Sequence, residues 1–269
     1  MKKNTILITG CSYGGIGYDT CKYLKSLGHH VIATARKEDD VKSLSCEGFE
    51  SYQLDVLNSS HIANVFSQLS DRNIDVVFNN AGYVQPGALE DLPTNALREQ
   101  FETNFFALHE ITCIAIEKMR KQGYGKIIQH GSVLGLISLK YRGAYNASKY
   151  AIEGLCDTMR QELDGSNIFM SVLNTGPVTS NIRANSLKYI NNIKLKKSVH
   201  LEEYKKIKEG RHKRVPFNEE AIAVSKVVSR IINSKKPKPR YAITKFTYIA
   251  IVMKRLFSTK SLDKIFKVM

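Results

Sequence analysis

No stretch of this chain approaches the ~18 consecutive apolar residues that a membrane-spanning helix needs. The longest run near the end, residues 246–253, is bracketed by Lys245 and Lys254. Cysteine is sparse and unpatterned: five residues, Cys11, Cys21, Cys46, Cys113 and Cys156, with no C-x-x-C pair and no metal-ligand spacing. That excludes a disulfide scaffold and a zinc module, and fits free thiols in a reducing compartment. A secretory leader is not expected either. The opening MKKNTILITG has two lysines but only a short apolar run, which reads as a first strand, so a cytoplasmic protein is expected. There is no internal repeat, no low-complexity tract and no domain-scale linker, so residues 1–269 are read as one domain. Acid is short as well: 25 Asp and Glu stand against 40 Lys and Arg, for a net charge of +15. No aromatic–basic interleaving accompanies the excess, so nucleic acid is not an expected partner.

What is present fits a large soluble α/β unit. The length of 269 residues supports a full core, and 43% apolar with 24% charged residues is ordinary for a globular domain. Residues 188–214 hold ten basic and three acidic residues, and residues 235–269 hold ten and one, which leaves the rest of the chain close to neutral. Short β-rich runs at residues 5–9, 30–35, 51–56, 75–79, 126–129, 168–173 and 240–243 alternate with helical patterns. The longest helical pattern, residues 94–121, has one face of Leu97, Phe101, Phe105, Leu108 and Ile111. Alternation of this kind predicts a single-domain Rossmann fold, a doubly wound parallel sheet of about seven strands.

The chemistry centres on Tyr145 and Lys149. Their i, i+4 spacing puts both side chains on one helix face. A neighbouring ammonium favours phenolate, so Lys149 is expected to pull the Tyr145 pKa down toward working pH and make it a proton donor and acceptor. Four of the thirteen tyrosines have a lysine at this spacing, Tyr18, Tyr145, Tyr204 and Tyr241. Only Tyr145 follows a buried strand (residues 126–129) and a serine, Ser132, which lies 13 residues upstream.

A second motif, GCSYGGIG, follows the first strand. Gly10, Gly14, Gly15 and Gly17, with Ser12, Tyr13 and Ile16 between them, stand where such sheets receive a dinucleotide pyrophosphate on a helix N-terminus. The spacing departs from G-x-G-x-x-G. At the end of the second strand an enzyme preferring NAD places an acid; here stand Arg36 and Lys37, with no carboxylate before Glu38. A guanidinium suits a 2′-phosphate, so NADP(H) is the expected cofactor.

With these motifs in order, and with Asp55-Val56, Asn79-Asn80-Ala81-Gly82, Asn104-Phe105-Phe106, Gly131-Ser132, Thr175-Gly176-Pro177-Val178 and KPKPRY, the chain resembles a short-chain dehydrogenase/reductase of the Tyr-x-x-x-Lys type. The likeness is to the 17β-hydroxysteroid-dehydrogenase-like branch, near aldehyde reductases and acyl-dihydroxyacetone-phosphate reductases. The resemblance implies a tetrad of Asn104, Ser132, Tyr145 and Lys149. Tyr145 would be the general acid, Lys149 would hold the nicotinamide ribose, Ser132 would bind the substrate oxygen, and Asn104 would hold a water linking Lys149 to solvent. It further implies that Asp55 and Val56 flank the adenine, that Asn80, Ala81 and Gly82 line the cofactor cleft, that Val178 meets the carboxamide, and that Gly176, Pro177 and Ser180 also bind the cofactor. The glycine loop is one residue longer than usual, leaving open which glycine touches phosphate, and Thr175-Gly176 replaces the usual Pro-Gly.

The function expected from the resemblance is NADPH-dependent reduction of a hydrophobic aldehyde or ketone. The alternatives are reduction of a phosphate-bearing lipid ketone, and a non-catalytic NADP-binding sensor or scaffold. A substrate-covering loop is expected at residues 178–215, and no metal site. A homodimer or homotetramer is expected by resemblance to a family that pairs the helices near Asn104 and Tyr145. The basic segment 241–269 carries Phe246, Ile249, Ala250, Met253 and Phe257 near one helical face. It is expected either to cover the sheet or to touch a membrane surface peripherally.

Overall fold

The computed structural model describes residues 3–193, 198–210 and 216–266. Seven parallel strands form one sheet: β1 (Thr5–Ile8), β2 (His30–Ala35), β3 (Glu50–Gln53), β4 (Val76–Asn79), β5 (Gly125–Gln129), β6 (Ile168–Thr175) and β7 (Arg240–Ile243), in the order β3-β2-β1-β4-β5-β6-β7. Successive side chains of a strand point to opposite faces, so β1 feeds two cores. Ile6 and Ile8 pack with Tyr18, Leu24 and Val228, from helices α1 (Ile16–Ser26) and α9 (Ile222–Asn233). Leu7 packs on the other face with Ile62, Ile111 and Ile152, from α3 (Ser59–Gln68), α5 (Ala107–Gln122) and α6 (Gly143–Glu162). Helices on both faces explain why the inner strands read as unbroken apolar runs.

The strand order reverses between β1 and β4, where a doubly wound sheet opens a crevice at its carboxyl edge. The glycine loop, Arg36, Asn80-Ala81-Gly82, Gly131-Ser132 and Gly176 all lie just beyond that edge.

Several boundaries differ from expectation. β3 stops at Gln53, so Asp55 and Val56 lie in the turn after it; Asp55 accepts from Leu57 N at 3.1 Å, and Asn58 caps α3. The helical region from residue 94 is α4 (Thr94–Phe101) and α5 joined by a π-turn, Glu102–Phe106, which contains Asn104. The covering segment is not a plain loop. It holds α7 (Ile182–Ser186), a 3-10 turn (Leu187–Asn192) and α8 (Leu201–Gly210); its residues 194–197 and 211–215 lie outside the described residues.

The expected amphipathic face near the end is split. In α10 (Lys245–Leu256), Phe246 and Ala250 are buried, and Met253 packs with them against Val133, Leu134 and Ile137 of the turn after β5. They cover this turn and not the sheet. Ile249 and Phe257 stay exposed, because α10 leans on the turn through one edge only. The last helix, α11 (Thr259–Phe266), adds Phe266 to the same cluster.

Candidate active site

The crevice forms a cavity of about 670 Å³. At one end stand Arg36, Lys37, Asp55 and Val56, and at the other Ser132, Tyr145 and Lys149; Gly10, Ser12, Tyr13, Gly15, Ile16, Asn80, Ala81, Gly82, Gly176, Val178 and Ser180 also line it. Four expected residues, Gly14, Gly17, Pro177 and Asn104, are not part of the wall. The lengthened loop thus divides its labour. A Cβ on Gly17 would come within 2.5 Å of both Asn80 Nδ2 and Gly10 O, so only glycine lets α1 approach β4 this closely. Gly14, at φ +72, makes room for Asn181, whose Nδ2 donates to Tyr13 O at 3.1 Å. Gly15 caps α1 without any side-chain hydrogen bond, which leaves helix N-terminal donors for an anion. These contacts fit a dinucleotide: Gly10 and Gly15 lie at the wall, and the α1 terminus beside them is a pyrophosphate cradle.

Asn104 is buried, and its amide is fully used. Oδ1 accepts from Tyr83 N at 3.0 Å, while Nδ2 donates to Tyr83 O at 3.0 Å and to Ser148 Oγ at 3.3 Å. Its side chain therefore clamps the segment after Gly82. Lys149 Nζ donates to His130 O at 2.5 Å and lies 5.6 Å from the centroid of the Tyr145 ring.

The electrostatics reverse one expectation. Tyr145 is pushed above its ordinary pKa, because burial outweighs the hydrogen bond with Ser132 and the Arg142 charge, both of which act downward. The expected lowering by Lys149 does not occur. Lys149 is itself depressed to about 8 by burial, and its charge falls on the buried imidazole of His130, which burial holds at about 3.

His130 is a site residue that spacing did not reveal. Asn80 Nδ2 donates to Thr9 O and Gly10 O at 2.9 and 3.0 Å, which fixes Asn80 Oδ1 as an acceptor. The His130 Nδ1 that meets it at 2.9 Å must then carry the proton, and Nε2 accepts from Thr175 Oγ1 at 3.0 Å. A neutral histidine thus braces the ends of β4, β5 and β6 directly beneath Lys149. Its one sequence signal was a histidine at a strand end beside Gly131-Ser132. Other wall residues not foreseen are Tyr83 and Tyr189, whose rings lie 4.5 Å apart, and Arg183.

A doubly wound parallel sheet with an open crevice at its switch point, and with Ser132, Lys149 and a half-buried Tyr145 in that crevice, has the architecture of the dinucleotide-binding class of folds. The comparisons agree. A family model described as short chain dehydrogenase matches residues 4–190. The uncharacterized oxidoreductase YbbO of Escherichia coli K12 is 36% identical over 266 residues, 98% of this chain and 94% of the relative. The probable short-chain type dehydrogenase/reductase VdlC of Helicobacter pylori is 30% identical, covering 97% and 96%. Among solved structures, a short-chain dehydrogenase from Streptomyces avermitilis superposes with a TM-score of 0.81 at 22% identity, covering 99% and 97% of the two chains. One from Burkholderia cenocepacia, solved in complex with NADP, gives 0.78 at 18%, covering 98% of each. The chain belongs to the short-chain dehydrogenase family of oxidoreductases.

Proposed function

We propose that the protein is an NADPH-dependent carbonyl reductase acting on a hydrophobic aldehyde or ketone. The observation that carries this reading is the meeting of Ser132, Tyr145 and Lys149 in one cavity with Arg36. Arg36 donates no side-chain hydrogen bond to any described residue, so its guanidinium is free for a 2′-phosphate. The two carboxylates that line that end are engaged: Asp40 accepts from Ser12 Oγ at 2.8 Å and Asp55 from Leu57 N at 3.1 Å. The cofactor would rest on Gly10, Gly15 and the α1 terminus, and when bound it supplies a hydride to the carbonyl carbon.

The rest of the chemistry belongs to the chain. A tyrosine held above its ordinary pKa is a phenol at neutral pH, ready to donate a proton to an oxygen that gains negative charge. Ser132, whose Oγ donates to Thr175 O at 3.4 Å in the structure, would turn its hydroxyl to the same oxygen. Lys149, protonated below about 8 and held on His130 O, would keep a cation at the nicotinamide ribose. Tyr145→Phe removes the proton and little shape. Turnover should fall by about two orders of magnitude or more, in line with general acid catalysis, while NADPH affinity stays nearly intact. Substantial activity left in this variant, or an equal loss from Tyr204→Phe, would overturn the assignment.

Two surfaces extend the proposal. Phe106 is exposed at the end of the π-turn and stacks edge-on with Phe105 at 5.3 Å, with Tyr150 of α6 also exposed. A second copy of the chain, pairing α5 and α6, is the occupant this reading assigns. On α10 and α11, Tyr248, Ile249, Val252, Leu256, Phe257 and Ile265 are exposed among Lys245, Lys254, Arg255, Lys260 and Lys264. Apolar side chains ringed by cations match an anionic bilayer surface.

A further inference from the structure

The substrate end of the cavity carries positive charge that neither the fold nor the proposed reaction uses. Arg142 stands at the cap of α6, three residues before Tyr145, and Arg183 comes from α7 and lines the cavity. Both are half-buried, and neither donates a side-chain hydrogen bond or makes an ion pair with any described residue. The other described arginines are either paired or, like Arg36, Arg98, Arg120, Arg230 and Arg255, exposed to water. Arg72 meets Glu50 at 2.6 Å, Arg160 meets Asp157 at 2.9 Å, and Arg240 meets Glu153 and Asp157 at 2.7 Å each.

The two unpaired guanidinium groups also feel each other. Burial and the Arg183 charge hold Arg142 below the usual guanidinium range, and burial does the same to Arg183. The Arg142 charge reaches Tyr145 as well. Two desolvated like charges without a counterion are an expensive arrangement for a fold to keep. It becomes favourable when a ligand brings the missing negative charge, and the planar guanidinium fork matches a carboxylate or phosphate in geometry. Lys188 adds a further cation to the wall, and Glu99, also in the lining, acts on Tyr83 and makes no ion pair with any described residue. The pyrophosphate has its own donors at the glycine loop, and the 2′-phosphate has Arg36. The same wall includes the Tyr83–Tyr189 ring pair.

We propose, resting on the carbonyl-reductase reading of this cavity, that Arg183, with Lys188 also in the wall, forms a subsite for an anionic group of the substrate. The substrate is then a carbonyl compound with a carboxylate or phosphate monoester at its far end, joined by an apolar spacer that lies along Tyr83 and Tyr189. Selectivity between charged and neutral carbonyls resides in Arg183. Tyr145 and Ser132 treat both alike.

The test compares an oxo carboxylic acid, its methyl ester, and a phosphorylated ketone of equal length. Binding is read by calorimetry on the full chain loaded with NADP+, where no hydride is available and turnover cannot intervene. The acid or the phosphate should bind roughly tenfold to a hundredfold tighter than the ester, the span of a charge-assisted hydrogen bond; the tighter of the two names the group. Arg183→Gln should bring charged and neutral ligands within about twofold of each other, and Arg183→Lys should restore part of the difference. In turnover with NADPH the loss should appear in KM and not in kcat. Equal binding of acid and ester by the wild-type chain overturns the subsite. So does a variant that loses NADP+ affinity as strongly as acid affinity, because the arginine then serves the cofactor. The reductase reading fails separately: tight, Arg183-dependent binding of the acid without NADPH consumption on any of the three would remove the reaction and leave the subsite standing.

Discussion

Lys149 shows how a buried cation works against the fold that holds it. It is 6% exposed, hydrogen-bonded to His130 O, and depressed to about 8 by burial. The unfolded chain would hold that proton up to the ordinary lysine value. Between about 8 and that value the native state binds fewer protons than the unfolded one, so stability rises with pH across this window, and the penalty is fully present below it. Lys149→Met removes the charge and keeps the volume. At pH 7 it should unfold several degrees higher, reflecting a gain on the order of 3 kcal/mol, while losing reductase activity. In the wild-type chain kcat/KM for reduction should fall as pH rises through about 8, where Lys149 loses its charge. A flat profile from pH 6 to 9, or a destabilised methionine variant, would contradict this account. At the cofactor's far end, Arg36→Ala should cost roughly tenfold to a hundredfold in NADPH affinity and hardly change NADH binding; titrating both cofactors against both proteins reads it. Tyr145, Lys149, Ser132 and Arg36 were legible because each sits at a fixed offset within a local motif. His130 was not: its partners Asn80 and Thr175 lie 50 and 45 residues away, and only the assembled sheet edge brings them together. Arg142 and Arg183 escaped notice for the same reason, since an arginine's lack of a carboxylate is a property of the fold.

At the scale of elements, period and composition located β2 and β7 at their observed bounds, because turn residues or prolines flank both. They failed at the π-turn. A pattern that counts residues by 3.6 cannot see one extra residue inserted into a continuous helix, and such insertions recur at functional sites. Here the insertion sets Asn104 against the backbone of Tyr83. The basic tail was half legible. The sequence marked an apolar face on α10 but could not show that Phe246 and Ala250 turn inward while Val252 and Leu256 turn out. If the outward face meets a bilayer, the protein should sediment with anionic vesicles at low salt and be released as salt screens the attraction over a Debye length of ~10 Å at 0.1 M. Val252→Ser with Leu256→Ser should weaken sedimentation without disturbing the inward cluster. Failure to sediment even at low salt would assign this face to solvent.

For the whole molecule, class and topology were readable because the strand–helix alternation leaves few arrangements open. The covering segment was the least readable part, being specified by long-range contacts: Tyr204 of α8 hydrogen-bonds Asp91 and receives Ala88 N at 3.0 Å, and His200 meets Glu90 at 2.6 Å. The segment also reaches back to the start of the chain. Asn181 N donates to Gly14 O at 3.2 Å, and its side chain holds Tyr13 O. One wall of the cavity is therefore made by residues translated first and the other by residues translated more than 160 positions later. A molecule lying between them behaves as a fastener, and mass action turns its affinity into resistance to digestion: at a hundred times its Kd it adds about 2.7 kcal/mol against opening. NADPH should slow protease cleavage within α7 and α8 far more than within α3, on the opposite flank. In a cell, the lifetime of this protein would then track the supply of its reductant.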